Sequence, residues 1–148
     1  MSRSPLRLIL DAQGNLYGTT WSGGSGNYGT VFKVASGGTE TVLYSFGGKS
    51  DGMIPNTSLT GDKSGNLYGT TMYGGNTADC GGNGCGTVFK LATDESKTIL
   101  HAFTGGDGAQ PNAPLLVDRK GQFISTTYNG GNTGCGGTGC GVIYVIRK

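Results

Sequence analysis

Apolar residues in this chain alternate with polar residues or glycine over short runs, and nowhere recur at the three-to-four spacing of an amphipathic helix. In Asn66–Thr71, Leu67 and Gly69 fall on one side and Tyr68 and Thr70 on the other, the period-two pattern of a half-buried strand. Four strand candidates follow one another in the middle of the chain: Leu59–Asp62, Asn66–Thr71, Thr87–Leu91 and Thr98–Phe103. The same series precedes it as Leu8–Asp11, Asn15–Thr20, Thr30–Val34 and Thr41–Phe46. It returns as Leu115–Asp118, Gln122–Thr127 and Val142–Ile146, without a fourth run. Asp62 and Gly65 suit the first and last positions of a type I turn between the first two runs. The stretch Gly105–Pro111 breaks the alternation and carries the chain from one series to the next.

The series are copies of one unit. Gly-Asn-Leu-Tyr-Gly-Thr-Thr stands at 14–20 and 65–71 and returns altered as Gly-Gln-Phe-Ile-Ser-Thr-Thr at 121–127. Each copy leads to a Gly-Gly pair and then to Gly-Thr-Val-Phe-Lys at 29–33 and 86–90, or Gly-Val-Ile-Tyr-Val at 141–145. A unit of about 50 residues holding four short antiparallel strands matches one blade of a β-propeller. The expected architecture is all-β: one repeat domain over 1–148, with units at about 6–55, 56–111 and 112–148 and the last one incomplete. Leu67, Val88, Phe89, Leu100 and Phe103, with Leu16, Val31, Phe32, Leu43 and Phe46, are expected to pack between neighbouring blades.

Composition changes this picture in three ways. The chain has 31 Gly, far above the usual share of ~7%, and they fall at matching places in each unit, as turn and bulge positions do. Net charge is +2 with basic residues scattered singly, so the clustered basic face of a nucleic-acid site is missing. No run approaches the length of a membrane-spanning helix, and Met1–Pro5 lacks the apolar core of a signal sequence, so an excised or trimmed chain is expected.

The four cysteines come as Cys80-Gly-Gly-Asn-Gly-Cys85 and Cys135-Gly-Gly-Thr-Gly-Cys140, in a loop that is shorter and cysteine-free in the first unit. A loop insertion that arrives with both cysteines points to a local disulfide in each case. Zinc is the competing reading, but its ligand pairs converge, and these pairs lie a full unit apart. Disulfides imply an oxidising compartment, hence an exported, extracellular protein.

The run Asp62-x-x-Gly65-Asn66-Leu67-Tyr68-Gly69-Thr70-Thr71, with Gly74-Gly75, Gly86–Lys90, a Leu-x-x-Phe strand and Asp107-Gly108-x-x-Pro111, resembles the GloVer tandem repeat over nearly the whole chain. The third unit departs from it at Gln122–Ser125. The resemblance implies a propeller-like, extracellular or surface-attached bacterial repeat protein. It implies no catalytic residue, and none is carried over.

Candidate chemistry is sparse. The single histidine, His101, aligns with Tyr44 and is expected at the surface of an outer strand. Asp11, Asp62 and Asp118 recur at one place and Asp51 and Asp107 at another, as turn-capping aspartates do. Paired carboxylates at a propeller mouth could serve a carbohydrate-active enzyme, and Gly carbonyls with Asp oxygens could hold calcium. No spacing singles out either, so no catalytic residue, metal ligand or cofactor is assigned.

Aromatic variation is more telling. Trp21, Met72 and Tyr128 share one repeated position, and Ser22, Tyr73 and Asn129 the next, at the start of the variable loop. Aromatic faces beside amides build shallow ligand sites, which makes Trp21, Tyr73, Tyr128 and Asn129 the candidate binding residues; packing over the glycines is the alternative. The expected function is a non-enzymatic binding or display module at the cell exterior, for a glycan or a protein, with loops 21–28, 72–85 and 128–140 in contact. Self-association is expected, as a homo-oligomer such as a six-blade ring closed by two copies or as a filament. A structural filament or layer built by head-to-tail association is a second reading of the function, a carbohydrate-active enzyme a third.

Overall fold

The computed structural model of the protein describes residues 8–131 and 134–147. The expected repeat start at residue 6 and part of the 128–140 loop lie outside the described residues. Three antiparallel sheets follow in chain order, with no α-helix among the described residues. In the first, β1 (Ile9–Leu10), β2 (Leu16–Thr20), β3 (Thr30–Val34) and β4 (Glu40–Ser45) lie side by side in sequence order. The second is built on β7 (Leu67–Tyr73), which pairs with both β5 (Met53–Pro55) and β6 (Thr60–Gly61), then with β8 (Thr87–Leu91), and β8 pairs with β9 (Lys97–Ala102). The third repeats this plan with β10 (Ala109–Pro111) and β11 (Leu116–Val117) on β12 (Phe123–Asn129), followed by β13 (Ile143–Ile146). Among the described residues no strand covers the outer edge of β13.

Repeated sequence produces repeated register. Leu16 opposes Val34 and Gly18 opposes Phe32 in the first sheet, as Leu67 opposes Leu91 and Gly69 opposes Phe89 in the second. A tight turn forms at Asp62–Gly65, where the Gly65 N–H donates to the Asp62 carbonyl, and the same bond joins Gly14 to Asp11 and Gly121 to Asp118. The expected break at Gly105–Pro111 contains a short strand: Ala109 pairs with Asn129 and Pro111 with Thr127, as Met53 and Pro55 pair with Tyr73 and Thr71. Pro is tolerated there because these strands lie at a sheet edge, where no ladder donor is needed.

The cores lie between sheets. One cluster joins Val31 and Phe46 of the first sheet to Leu59, Leu67, Phe89 and Leu91 of the second. The other joins Tyr68, Val88 and Phe103 of the second to Leu115, Phe123 and Tyr144 of the third. T-shaped and tilted ring pairs cross each boundary, Phe46 with Phe89 at 5.2 Å and Tyr68 with Phe123 at 4.4 Å between centroids.

Three of the expected core positions differ. A β-bulge between Val88 and Phe89 sets His101 opposite Val88 and Ile99 opposite Phe89, so Leu100 is the extra residue and reaches the surface. Leu16 and Phe32 are half-buried on the outer face of the first sheet, the face turned away from the second.

Candidate functional site

The recurrent aspartates are engaged in holding turns. Asp11 accepts hydrogen bonds from the N–H of Gln13 and Asn15, from Asn15 Nδ2 at 2.8 Å and from Tyr17 Oη at 3.0 Å. Asp62 repeats the set with Ser64, Asn66 and Tyr68. The Asn15 amide, with the other donors, holds the Asp11 carboxyl at about 2, below its ordinary 3.8. Burial works the other way at Asp62, but the Asn66 and Tyr68 hydrogen bonds outweigh it and the carboxyl again lies at about 2. Both groups therefore bind protons more weakly in the folded protein than in the unfolded chain. Their contribution to stability is complete above about pH 4 and is lost as pH falls through about 2. We expect the melting temperature to fall across that window, and to fall less in Asp62→Asn; a melting temperature that stays level over the window would contradict this.

The connections use their acids in the same way. Asp51 accepts from Tyr44 Oη at 2.8 Å and from the Gly47 N–H, and pairs with Lys97 Nζ at 2.7 Å. Asp107 accepts from the Thr104 N–H and hydroxyl and lies 2.8 Å from His101 Nε2. His101 thus takes over the part played by Tyr44. It anchors a connection, a role that the alignment of the two residues could have suggested.

The variable loops begin on the Gly-Gly pairs. Gly74 donates to the Asn83 carbonyl and accepts from the Gly86 N–H; Gly130 does the same with Thr138 and Gly141. The two rings are closed by disulfides, Cys80–Cys85 and Cys135–Cys140, with Cα–Cα distances of 5.3 and 5.4 Å. Each ring folds back so closely that a Cβ on Gly84 or Gly139 would fall on the carbonyl of Gly74 or Gly130, and both glycines have positive φ. Small rings of this kind stabilise by about 2 kcal/mol each in the chain-entropy estimate.

At the base of these loops the structure joins two of the candidate residues through one that sequence reasoning missed. Gln110 Nε2 donates to Tyr73 Oη at 3.2 Å, and Asn129 Nδ2 donates to Gln110 Oε1 at 2.8 Å. Gln110 sits in the edge strand β10 at φ 56°, a left-handed conformation uncommon for a residue with a side chain, and its N–H is tied to the Cys85 carbonyl at 2.7 Å. Its counterpart Ile54 has φ 59° and donates to the Tyr28 carbonyl. The signal in the sequence is the Asp-Gly-x-x-Pro pattern itself, constant at its ends and switched from Ile54 to Gln110 inside. Gln110 and Asn129 line a cavity of about 330 Å³ with Gly106, Gly131, Cys80 and Thr138. Trp21, just after β2, and Tyr128, near the end of β12, lie outside this hydrogen-bond chain, and both are exposed.

A larger cleft of about 770 Å³ opens at the opposite ends of the strands, between the Asp11 and Asp62 turns, lined by Leu10, Tyr17, Leu59 and Lys63. Among the described residues no group of three or more His, Cys, Asp or Glu side chains is placed to hold a metal ion. Nor is any helix among them long and apolar enough to cross a membrane.

A family model described as the Gloeobacter/Verrucomicrobia repeat matches residues 4–147. The chain belongs to that repeat family. This agrees with the GloVer-type repeat read from the motifs. No curated protein matches the chain. Among solved structures, a streptogramin B lyase is similar over 84% of this chain and 34% of its own, with 18% identity and a TM-score of 0.57. A protein provisionally described as a gluconolactonase is similar over 99% of this chain and 45% of its own, with 19% identity and a TM-score of 0.53. Both are β-propeller-like, which establishes the fold class of this repeat protein as the strand pattern implied. The chain spans less than half the length of either.

Proposed function

We propose that this repeat protein is an exported, non-enzymatic binding module that receives a polar ligand, a glycan first, at the base of its disulfide-closed loops. The observation that carries the reading is the Tyr73–Gln110–Asn129 hydrogen-bond chain, which spans two sheets and edges a cavity lined by glycine backbone. Amide and phenol groups in a recess walled by glycine suit hydroxyl-rich ligands, and a ligand-facing residue held at φ 56° is the kind of local strain that gathers at functional sites. The exposed rings of Trp21 and Tyr128 offer further stacking faces. The two disulfides suit an oxidising exterior. The recurrent aspartates already hold turns and connections, which leaves them ill suited to act as general acids and supports a non-catalytic role. No cofactor is invoked; calcium dependence is checked by binding with and without chelator.

The test is a glycan array followed by calorimetry on the strongest binder with Tyr73→Phe, Gln110→Ala and Asn129→Ala. Loss of a buried ligand hydrogen bond is expected to weaken binding about tenfold per substitution. Unchanged affinity in all three variants would remove the site. Polysaccharide turnover that survives chelation and vanishes on Asp substitution would replace the binding reading with an enzymatic one.

A further inference from the structure

The first and third sheets each have an outer face without a neighbour among the described residues, and both faces repeat the two sides of an interface that the protein makes internally. In the second sheet, Leu59 and Phe89 close over Gly69, where a Cβ would lie 3.0 Å from Leu59 and 2.8 Å from Phe89, and this surface packs against the first sheet. In the first sheet, Leu8 and Phe32 close over Gly18 in the same way, with corresponding distances of 2.6 and 2.8 Å. The same receiving surface is therefore already shaped, but open, on the outside of the first sheet.

The other side is also present. Tyr68 and Val88 form the face by which the second sheet meets the third. Their counterparts, Ile124 and Ile143, stand on the outer face of the third sheet, where Ile124 opposes Val145 and Leu116 in register. Ile143 is 77% exposed, and so much aliphatic surface on a sheet face marks an interaction site.

We infer that the outer face of the third sheet docks on the outer face of the first sheet of a second copy of this chain, and that two copies close on each other. Both contacts of such a pair are the same heterologous contact. Two copies of three sheets make six, within the four to eight blades of closed propellers.

The internal boundary specifies the register of the contact. At the first boundary Ile9 lies against Gly61, 3.8 Å from where a Cβ there would stand. Leu116 repeats the position of Ile9, and Leu10 repeats that of Gly61, counting from the shared aspartates Asp11, Asp62 and Asp118. Leu10 and Leu116 are each 69% exposed, and in the pair they meet. The added volume at this point is matched by smaller side chains beside it, since Ile124 and Val145 stand where the second sheet has Tyr68 and Lys90.

Light scattering across a concentration series tests the pairing. The expected mass is that of two copies. Leu10→Lys and Leu116→Asp, both at surface positions where the fold tolerates a charge, are each expected to weaken the pair about 100-fold by burying an uncompensated charge. The double variant, which sets Lys against Asp at each contact, is expected to restore it. A wild-type mass of one copy, growth without limit, single variants that remain paired, or a double variant that stays apart would each overturn the inference.

Discussion

Truncation of Phe89 to alanine is expected to destabilise the protein by about 4 kcal/mol, the cost of emptying a fully enclosed aromatic site. Phe89 is fully buried, set edge-on to Phe46 of the first sheet and seated over Gly69. Gly69 has no side chain to fill the space, and Leu67 and Leu91 are fixed on the same face by the strand register, which leaves only Leu59 free to lean in. Against a typical total of about 5–15 kcal/mol, the loss should leave the chain close to unfolding at room temperature. Urea titration reads it as a lower midpoint at constant slope. Phe32, the same residue in the first sheet, is only half-buried on an open face, and Phe32→Ala in the separated chain should cost clearly less. Equal losses for the two would show that burial between sheets is not what gives Phe89 its weight.

Lys97→Ala is expected to cost about 3 kcal/mol, near the lower end for breaking a buried pair. The Lys97 side chain is 4% exposed, and its Nζ reaches Asp51 Oδ1 and the Asp51 carbonyl while lying 5.3 Å from the ring centroids of Tyr44 and Phe46. Burial depresses the Lys97 ammonium in spite of its partner. At Asp51 burial alone would raise the carboxyl, but hydrogen bonds from Gly47, Lys97 and Tyr44 prevail and hold it below its ordinary value. Water reaches Asp51, 28% exposed, which limits the penalty of leaving it alone. The pair joins the outermost strand of the second sheet to the connection leaving the first, so it fixes how the sheets meet more than it adds net stability. A double variant, Lys97→Met with Asp51→Asn, is accordingly expected to be less destabilised than Lys97→Ala alone. If the double variant loses as much as the sum of its single changes, the coupling is absent.

The strands were legible because the unit is written three times and its alternation survives each copy. Leu67, Val88 and Phe89 declare their faces from period two alone. The bulge that displaces Leu100 was not legible: Ile99 and Leu100 are adjacent and both apolar, so either could face the core, and only pairing with β8 reveals which one is extra. Strands β5 and β10 were hidden because Gly and Pro at both ends of Met53–Pro55 and Ala109–Pro111 read as turn. At the site, Tyr73 and Asn129 drew notice as variable residues at a constant position. Their link through Gln110 depends on the third sheet placing its edge strand β10 beside Tyr73 of the second, and no local pattern encodes that. His101 was legible as the equivalent of Tyr44, but its partner Asp107 was recognisable only once the connection had folded back.

Because the second sheet buries each of its faces against a copy of the same unit, it is a part that fits itself. A gene in which that middle segment is duplicated in tandem would encode a longer array with every new boundary already solved. The number of units could thus change by such a duplication without a new surface having to evolve. Selection is then free to act on what differs between copies, the loop lengths, the cysteine pairs and the residue that stands where Ile54 and Gln110 stand here.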